Sequence, residues 1–463
     1  MKKNRLIYRK YRKALYAVLC WGLCLACKKS TFLNTKPDQS LIVPTTISDC
    51  QGLLDNEVVM NGYGNSGYPS LGETGCDDYT VSAAQYAGYT PIDQKAVVWA
   101  SQIYEGATVD DWNLGYRVIF YADEVIGVLS DISPSPSSSA DWNQAMGIAL
   151  FYRGYALYEL SQLFAPVYDS SRAGTDWGLP LRISADVNEK IYRATVKDTY
   201  TQILTDLGKS IPLLPENPDW DPNRPARAAA YGILSRVCLS MRNYAQAGLY
   251  ADSCLQIRHA LMDYNTIDST AIFPFSRTNP EVIFSIARLR TGPSVIARSY
   301  TDSTLFNSYA VNDLRKKLFF RSGLFFFGRY DSLAYAYGGL ATDELWLTRA
   351  ECYARAGQTA AAMNDLDTLL QNRYRNGTFT PVVATDAGDA LLKVLAERRR
   401  ELLYRGLRWT DLRRLNKEPG LAVTLYRTVN GEVYTLPPND ARYVYAIPDD
   451  VIARHPEMPQ NIR

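Results

Sequence analysis

The stretch Asp343–Gln371 constrains this chain most, because its apolar residues recur at helical spacing on both sides of a single break. Before the break, Trp346, Leu347, Ala350, Tyr353 and Ala354 form one stripe opposite Arg349, Glu351 and Arg355. After it, Ala362, Leu366, Leu369 and Leu370 form a second, with Asn364, Asp365 and Asp367 turned outward. Gly357 ends the first helix without a Cβ penalty. Small residues at Ala350 and Ala362 let the helices approach closely, as in a tetratricopeptide-type hairpin, and such a unit cannot bury its apolar side alone. Other hairpins must stack on it.

The rest of the chain supplies them. Helical patterns run over Asp141–Phe164, Thr195–Leu214, Arg227–Leu239, Tyr244–Ile257 and Ala390–Tyr404, with a further turn over Trp409–Leu415 beyond Gly406. Ala247 and Tyr250-Ala251 answer Ala362 and Asp365-Leu366, so the Arg227–Ile257 pair is a second hairpin. The intervals are too irregular for a pure repeat array. The expected fold is therefore mainly α: tetratricopeptide-like helical hairpins wrapped by an irregular, loop-rich region over about 61–112 and 287–340. A brief apolar strand is expected at Glu281–Ile286, and Asn430-Gly431 predicts a tight hairpin turn.

The N-terminus sets the compartment. Seven Lys and Arg within the first 13 residues precede Ala14–Ala26, a 13-residue run without charge. A basic start and a short apolar run make a secretion signal rather than a membrane span. The run ends in Leu23-Cys24-Leu25-Ala26-Cys27, which looks like a bacterial lipobox and implies cleavage before a lipidated Cys27. Residues 1–26 are thus a signal peptide, 27–45 a proline-containing tether, and 46–463 the folded domain. Removing the seven cations takes the formal charge from +2 to −5, so the basic precursor says nothing of nucleic acid. The remaining Cys50, Cys76, Cys238, Cys254 and Cys352 are too few and scattered for a disulfide framework.

Catalysis finds little support. Asp77-Asp78 and Asp449-Asp450 are adjacent carboxylates of the kind that loops usually leave solvated. His259 and His455 lie far apart, without metal-ligand spacing, and no Gly-rich phosphate loop follows a strand, so no cofactor or metal is expected. Arg398-Arg399-Arg400 between Glu397 and Glu401 reads as an ion-paired helix face rather than a nucleic-acid patch.

Binding is better served. From Asn61 to Thr90, glycines and Pro69 alternate with five tyrosines, and ordered loops on a rigid scaffold often carry function. A sugar presents apolar C–H faces and a rim of hydroxyls, so its site needs flat rings beside Asp, Asn or Arg. Asp77, Asp78, Tyr79, Tyr86, Tyr89 and Trp99 offer that mixture, and Tyr300 and Tyr309 add rings from the second irregular region. The bland alternative is that Trp99 and Trp112, at helical spacing, are simply core.

Several motifs, taken in order, are similar to those of the SusD/RagB family of outer-membrane nutrient-binding lipoproteins. They are Cys27 followed by Phe32-Leu33-Asn34-Thr35-Lys36-Pro37, then Phe151-Tyr152-Arg153-Gly154-Tyr155-Ala156, Gly178-Leu179-Pro180-Leu181-Arg182 and Asn279-Pro280-Glu281-Val282-Ile283-Phe284. Asn312-Asp313-Leu314-Arg315 and Leu347-Thr348-Arg349-Ala350-Glu351 follow, then Glu397-Arg398-Arg399-Arg400-Glu401-Leu402 and Gly406–Arg414, and the chain closes on Pro459-Gln460-Asn461. The resemblance implies a lipid-anchored, cell-surface protein that captures an oligosaccharide and delivers it, without catalysis, to a SusC-like TonB-dependent transporter. A peptide ligand, or a scaffold that meets only other proteins of a membrane assembly, are the alternative expectations.

Overall fold

The computed structural model describes residues 44–463 apart from 65, 187, 217–220, 290–298, 322 and 331–335. The expected signal peptide, Cys27 and nearly all of the tether lie outside the described residues. Among the described residues, ten helices of eight residues or more form the frame: α1 Ile47–Leu54, α2 Asp110–Asp131, α3 Ser139–Phe164, α4 Val196–Leu213, α5 Arg227–Ser240, α6 Tyr244–Ile257, α7 Thr342–Arg355, α8 Thr359–Leu370, α9 Ala387–Glu401 and α10 Arg408–Leu415. From α2 to α9 each helix packs on the next in the chain, and α9 also returns onto α7, which is the hairpin stacking expected of helices too short to be stable alone. The fold is mainly α.

Local chemistry sets the helix ends. Thr46 caps α1 in a reciprocal box with Asp49, and Thr195 caps α4 by accepting the N–H of Asp198. The central helix is α3, buried on every side from Ala145 to Phe164. A helix covered all round must pair any charge it carries. Arg153 does so, holding Asp206 of α4 at 2.7 and 2.8 Å and Asp123 of α2 at 2.9 Å.

Helix α7 differs from its expected amphipathic form. Glu351, placed outward by periodicity, is fully buried and accepts both outer guanidinium nitrogens of Arg414, at 2.6 and 2.7 Å. Asp365 of α8, also expected outward, is buried against Arg349 at 2.8 and 2.9 Å. Neighbouring elements cover the second faces of these helices, and bidentate arginines make the buried carboxylates tolerable.

The strands are short and paired in twos. Val282–Phe284, within the expected strand, pairs with Leu340–Ala341. Leu425–Val429 and Glu432–Leu436 form the expected hairpin, with Asn430 and Gly431 at φ of 53° and 85° as a two-residue turn of that hand requires.

The irregular region 61–112 departs most from expectation. It is folded into short helices at Leu71–Gly75, Ala83–Ala87 and Pro91–Val97, and much of it lies inside the protein. Trp99 precedes α2 rather than sharing a helix with Trp112, and takes a left-handed φ of 52°. All five described cysteines are buried free thiols.

Candidate ligand-binding site

The two irregular regions meet. Tyr79–Thr80 pairs antiparallel with Tyr300–Thr301, and the Tyr89 hydroxyl lies 3.2 Å from that of Ser299. What this junction exposes is narrower than the sequence suggested.

Tyr79, Tyr89, Trp99 and Tyr309 are buried. Their rings gain more by leaving water than by facing it, provided each polar edge finds a partner. Each does: the Tyr79 hydroxyl donates to the Thr74 carbonyl, the Trp99 indole N–H to Gly75 O at 2.8 Å, and the Tyr309 hydroxyl to Arg400 O at 2.7 Å. Arg427, reaching in from the C-terminal hairpin, lies 4.3 Å from the Tyr79 ring centre and 4.9 Å from that of Trp99. Burial thus takes these four rings out of a ligand's reach.

Asp77 and Asp78 are also engaged. Arg408 grips Asp77 at 2.7 and 2.9 Å, and Arg399 reaches Asp78 at 3.0 Å. Burial pushes the Asp77 carboxyl up, but the Arg408 and Arg399 charges outweigh it and hold the group well below the usual carboxylate range. Asp78, wholly buried, stays raised despite Arg399. These carboxylates brace α9 and α10 against the loop. Arg398 pairs with Asp411 and Arg400 with Glu397, so the arginine run is the ion-paired network expected of it.

Two of the expected rings remain accessible. Tyr300 is 37% exposed and rests on Phe325 with ring centres 4.6 Å apart. Tyr86, half-buried on the helix Ala83–Ala87, stands in the segment that Tyr89 ties to Ser299. Exposed Thr80 and Ser82 supply hydroxyls beside them. Tyr300 is thus an accessible ring on a paired strand, with the Thr80 hydroxyl against its backbone.

Glu73, Cys76 and Asp78 bring three donor atoms within 4.8 Å. Their chemistry does not suit a cation. Cys76 donates its thiol proton to Glu73, whose other oxygen accepts Gly406 N–H at 2.7 Å, while Asp78 faces Arg399. Burial, and then the charge of Asp78, push the Glu73 carboxyl up to about 7. The cluster stays stable as a partly protonated hydrogen-bonding unit.

Sequence reading passed over Trp177, 47% exposed and the only tryptophan among the described residues with so open a side chain. Its signal was available: it sits outside any helical period, just ahead of Gly178-Leu179-Pro180.

Residues 31–239 match a family described as starch-binding and associating with the outer membrane, and residues 343–463 match the SusD family. Among curated proteins none is similar enough to count as a relative. Solved structures are similar over nearly the whole chain. A SusD superfamily protein from Bacteroides thetaiotaomicron superposes with a TM-score of 0.73 at 20% identity, covering 90% of this chain and 100% of that one. A putative sugar-binding protein from Bacteroides vulgatus gives 0.73 at 21%, covering 91% and 99%. Surface glycan-binding protein A from Bacteroides uniformis gives 0.69 at 16%, covering 90% and 100%.

Stacked helical hairpins braced by buried ion pairs define a mainly α protein of SusD-like architecture. The chain belongs to the SusD/RagB family, whose members are carbohydrate-binding proteins associated with the outer membrane. Among the described residues no helix is long and apolar enough to cross a membrane.

Proposed function

We propose that this protein captures an oligosaccharide at the cell surface and passes it, chemically unchanged, to a SusC-like TonB-dependent transporter, with a lipid on Cys27 keeping it at the outer membrane. The observation that carries the reading is the accessible Tyr300 ring, supported from behind by Phe325 and fixed by the pairing of Tyr300–Thr301 with Tyr79–Thr80. A ring prevented from swinging loses little freedom when a sugar stacks on it. Tyr86 offers a second half-buried ring, and exposed Thr80 and Ser82 offer hydroxyls. Asp77, Asp78, Tyr79, Tyr89, Trp99 and Tyr309 then act on ligand only through the shape they give this face.

The test is calorimetric titration of the purified protein with a panel of neutral oligosaccharides and peptides, with product analysis afterwards. Saturable sugar binding without turnover, weakened in Tyr300→Ala, supports the reading. Peptide binding alone, sugar cleavage, or sugar binding indifferent to Tyr300 overturns it.

A further inference from the structure

A second concavity lies well away in sequence from the Tyr300 face. It encloses about 430 Å³ between the segment 166–177, the end of α10 and the C-terminal stretch 439–462. That volume is in the range of small-ligand pockets, about 300–1,000 Å³. Trp177 stands on its wall.

The wall is rigid. Trp177 begins a strand, Trp177–Pro180, paired with Arg193–Thr195. Buried Arg193 donates to Gly178 O and Trp177 O, each at 2.9 Å, and also to Pro459 O at 2.8 Å and Asn461 Oδ1 at 2.9 Å. One side chain therefore ties the tryptophan strand to the opposite wall. Asn461 in turn donates to Phe164 O and Tyr445 O, both at 2.8 Å. The pocket does not need a ligand to assemble it.

Three carboxylates and three cations line it, and the charge around it becomes positive because Arg193, Arg242 and Arg442 stand just behind that lining. The carboxylates that line it each have an arginine: Asp176 has Arg172 at 2.9 Å, Asp440 has Arg442 at 2.8 Å, and Asp169 has Arg242 at 3.9 Å. Of the lining cations, Arg413 has carbonyls rather than a carboxylate for partners, and Lys417 shares Asp169 with Arg242. Arg413 is buried and gives its N–H groups to the carbonyls of Ser161, Gln162 and Ala165. Those carbonyls end α3, so its negative terminus offsets only part of the charge. Arg193, behind Trp177, likewise meets only carbonyls and an amide. Burial lowers the Lys417 ammonium, Asp169 opposes this, and Arg242, Arg172 and Arg413 reinforce it. The field in the pocket is that of surplus positive charge beside an open indole.

We infer that this pocket is a second carbohydrate site, specific for an acidic sugar, whose ring face lies on Trp177 and whose anion is met by Lys417 and Arg413. A neutral sugar would leave the surplus charge unanswered, whereas a carboxylate or sulfate ester neutralises it at the point where water is least able to. This goes beyond the Tyr300 face and does not depend on it.

The test is calorimetric titration of the full-length protein with an oligogalacturonate, a sulfated disaccharide and a neutral oligosaccharide of matched length, at low and raised sodium chloride. Variants are Lys417→Gln, Trp177→Ala and Tyr300→Ala. Lys417 is partly and Trp177 about half exposed, so these variants should melt close to wild type. Expected is saturable binding of at least one acidic sugar that weakens with salt. It should fall about tenfold in Lys417→Gln and in Trp177→Ala, as for the loss of a charge-assisted contact or a stacking face, and stay unchanged in Tyr300→Ala. The two acidic ligands distinguish carboxylate from sulfate. Acidic sugars that bind no tighter than the neutral one, or binding that ignores both Lys417 and Trp177, would overturn the inference. Neutral-sugar binding that depends on Tyr300 is a separate readout, so the two sites stand or fall apart.

Discussion

Asp77 accepts two hydrogen bonds from Arg408, at 2.7 and 2.9 Å, across 331 positions of sequence. The contact ties the glycine-rich N-terminal region to α10 and makes Asp77 a brace. Arg408→Ala should cost about 2–3 kcal/mol, below the roughly 3–5 kcal/mol of a fully buried pair, because the Asp77 side chain keeps 22% exposure. Asp77 is depressed in the folded state, so its contribution is present above the ordinary carboxylate pKa, about 4, and is lost as pH falls toward the folded value. Urea midpoints of variant and wild type should therefore lie apart at pH 7 and converge in acid.

Tyr300 and Tyr79 are neighbours across one short sheet but meet different surroundings. Tyr300→Ala should lower neutral-oligosaccharide affinity about tenfold with little change in melting temperature, since the ring is partly exposed. Tyr79→Ala should cost about 3–5 kcal/mol of stability, since it leaves a buried cavity and strips Arg427 of a stacking partner. Denaturant curves beside binding isotherms separate the two.

Glu73 carries a pH dependence of the opposite sign to Asp77. Its carboxyl is raised from 4.5 to about 7, so the folded protein retains a proton that the unfolded chain releases. Stability contributed at this position is full below about pH 4.5 and declines as pH rises to about 7. Glu73→Gln, which keeps an acceptor for Gly406 N–H, should leave stability unchanged at pH 4.5 and raise it by about 2–3.5 kcal/mol at pH 8, at about 1.4 kcal/mol per unit. Thermal melts across that range give the answer.

Arg373 is fully buried between Glu401 and Glu281, each at 2.8 Å, with its guanidinium 4.0 Å from the Tyr264 ring centre. Arg373→Ala strands two carboxylates out of water and should cost about 3–5 kcal/mol. A variant that lost less than about 1 kcal/mol in chemical denaturation would show that the network relaxes around the gap.

On the lipid anchor proposed above, Cys27→Ala should move the protein from the membrane to the soluble fraction. Fractionation of cells expressing each form checks it.

The legible parts of this protein are those with a local cause. Helical period marked α3 to α8 within a few residues, and Asn430-Gly431 announced its turn. Periodicity reports which residues share a face but not what covers the other side, which is why Glu351 and Asp365 looked solvated and proved buried. The Trp177 pocket was illegible for a related reason: its walls come from segments hundreds of positions apart, and none is remarkable alone.

By itself the sequence determined that short amphipathic helices must stack in pairs and that tyrosine-rich irregular segments must lie against them, because both follow from the spacing of apolar side chains along the chain. Only the tertiary structure decided which tyrosines face solvent. A ring's exposure depends on whether a distant group arrives to cover it, as Arg427 does for Tyr79 and Trp99 and the Arg400 carbonyl does for Tyr309, and no local pattern encodes that meeting.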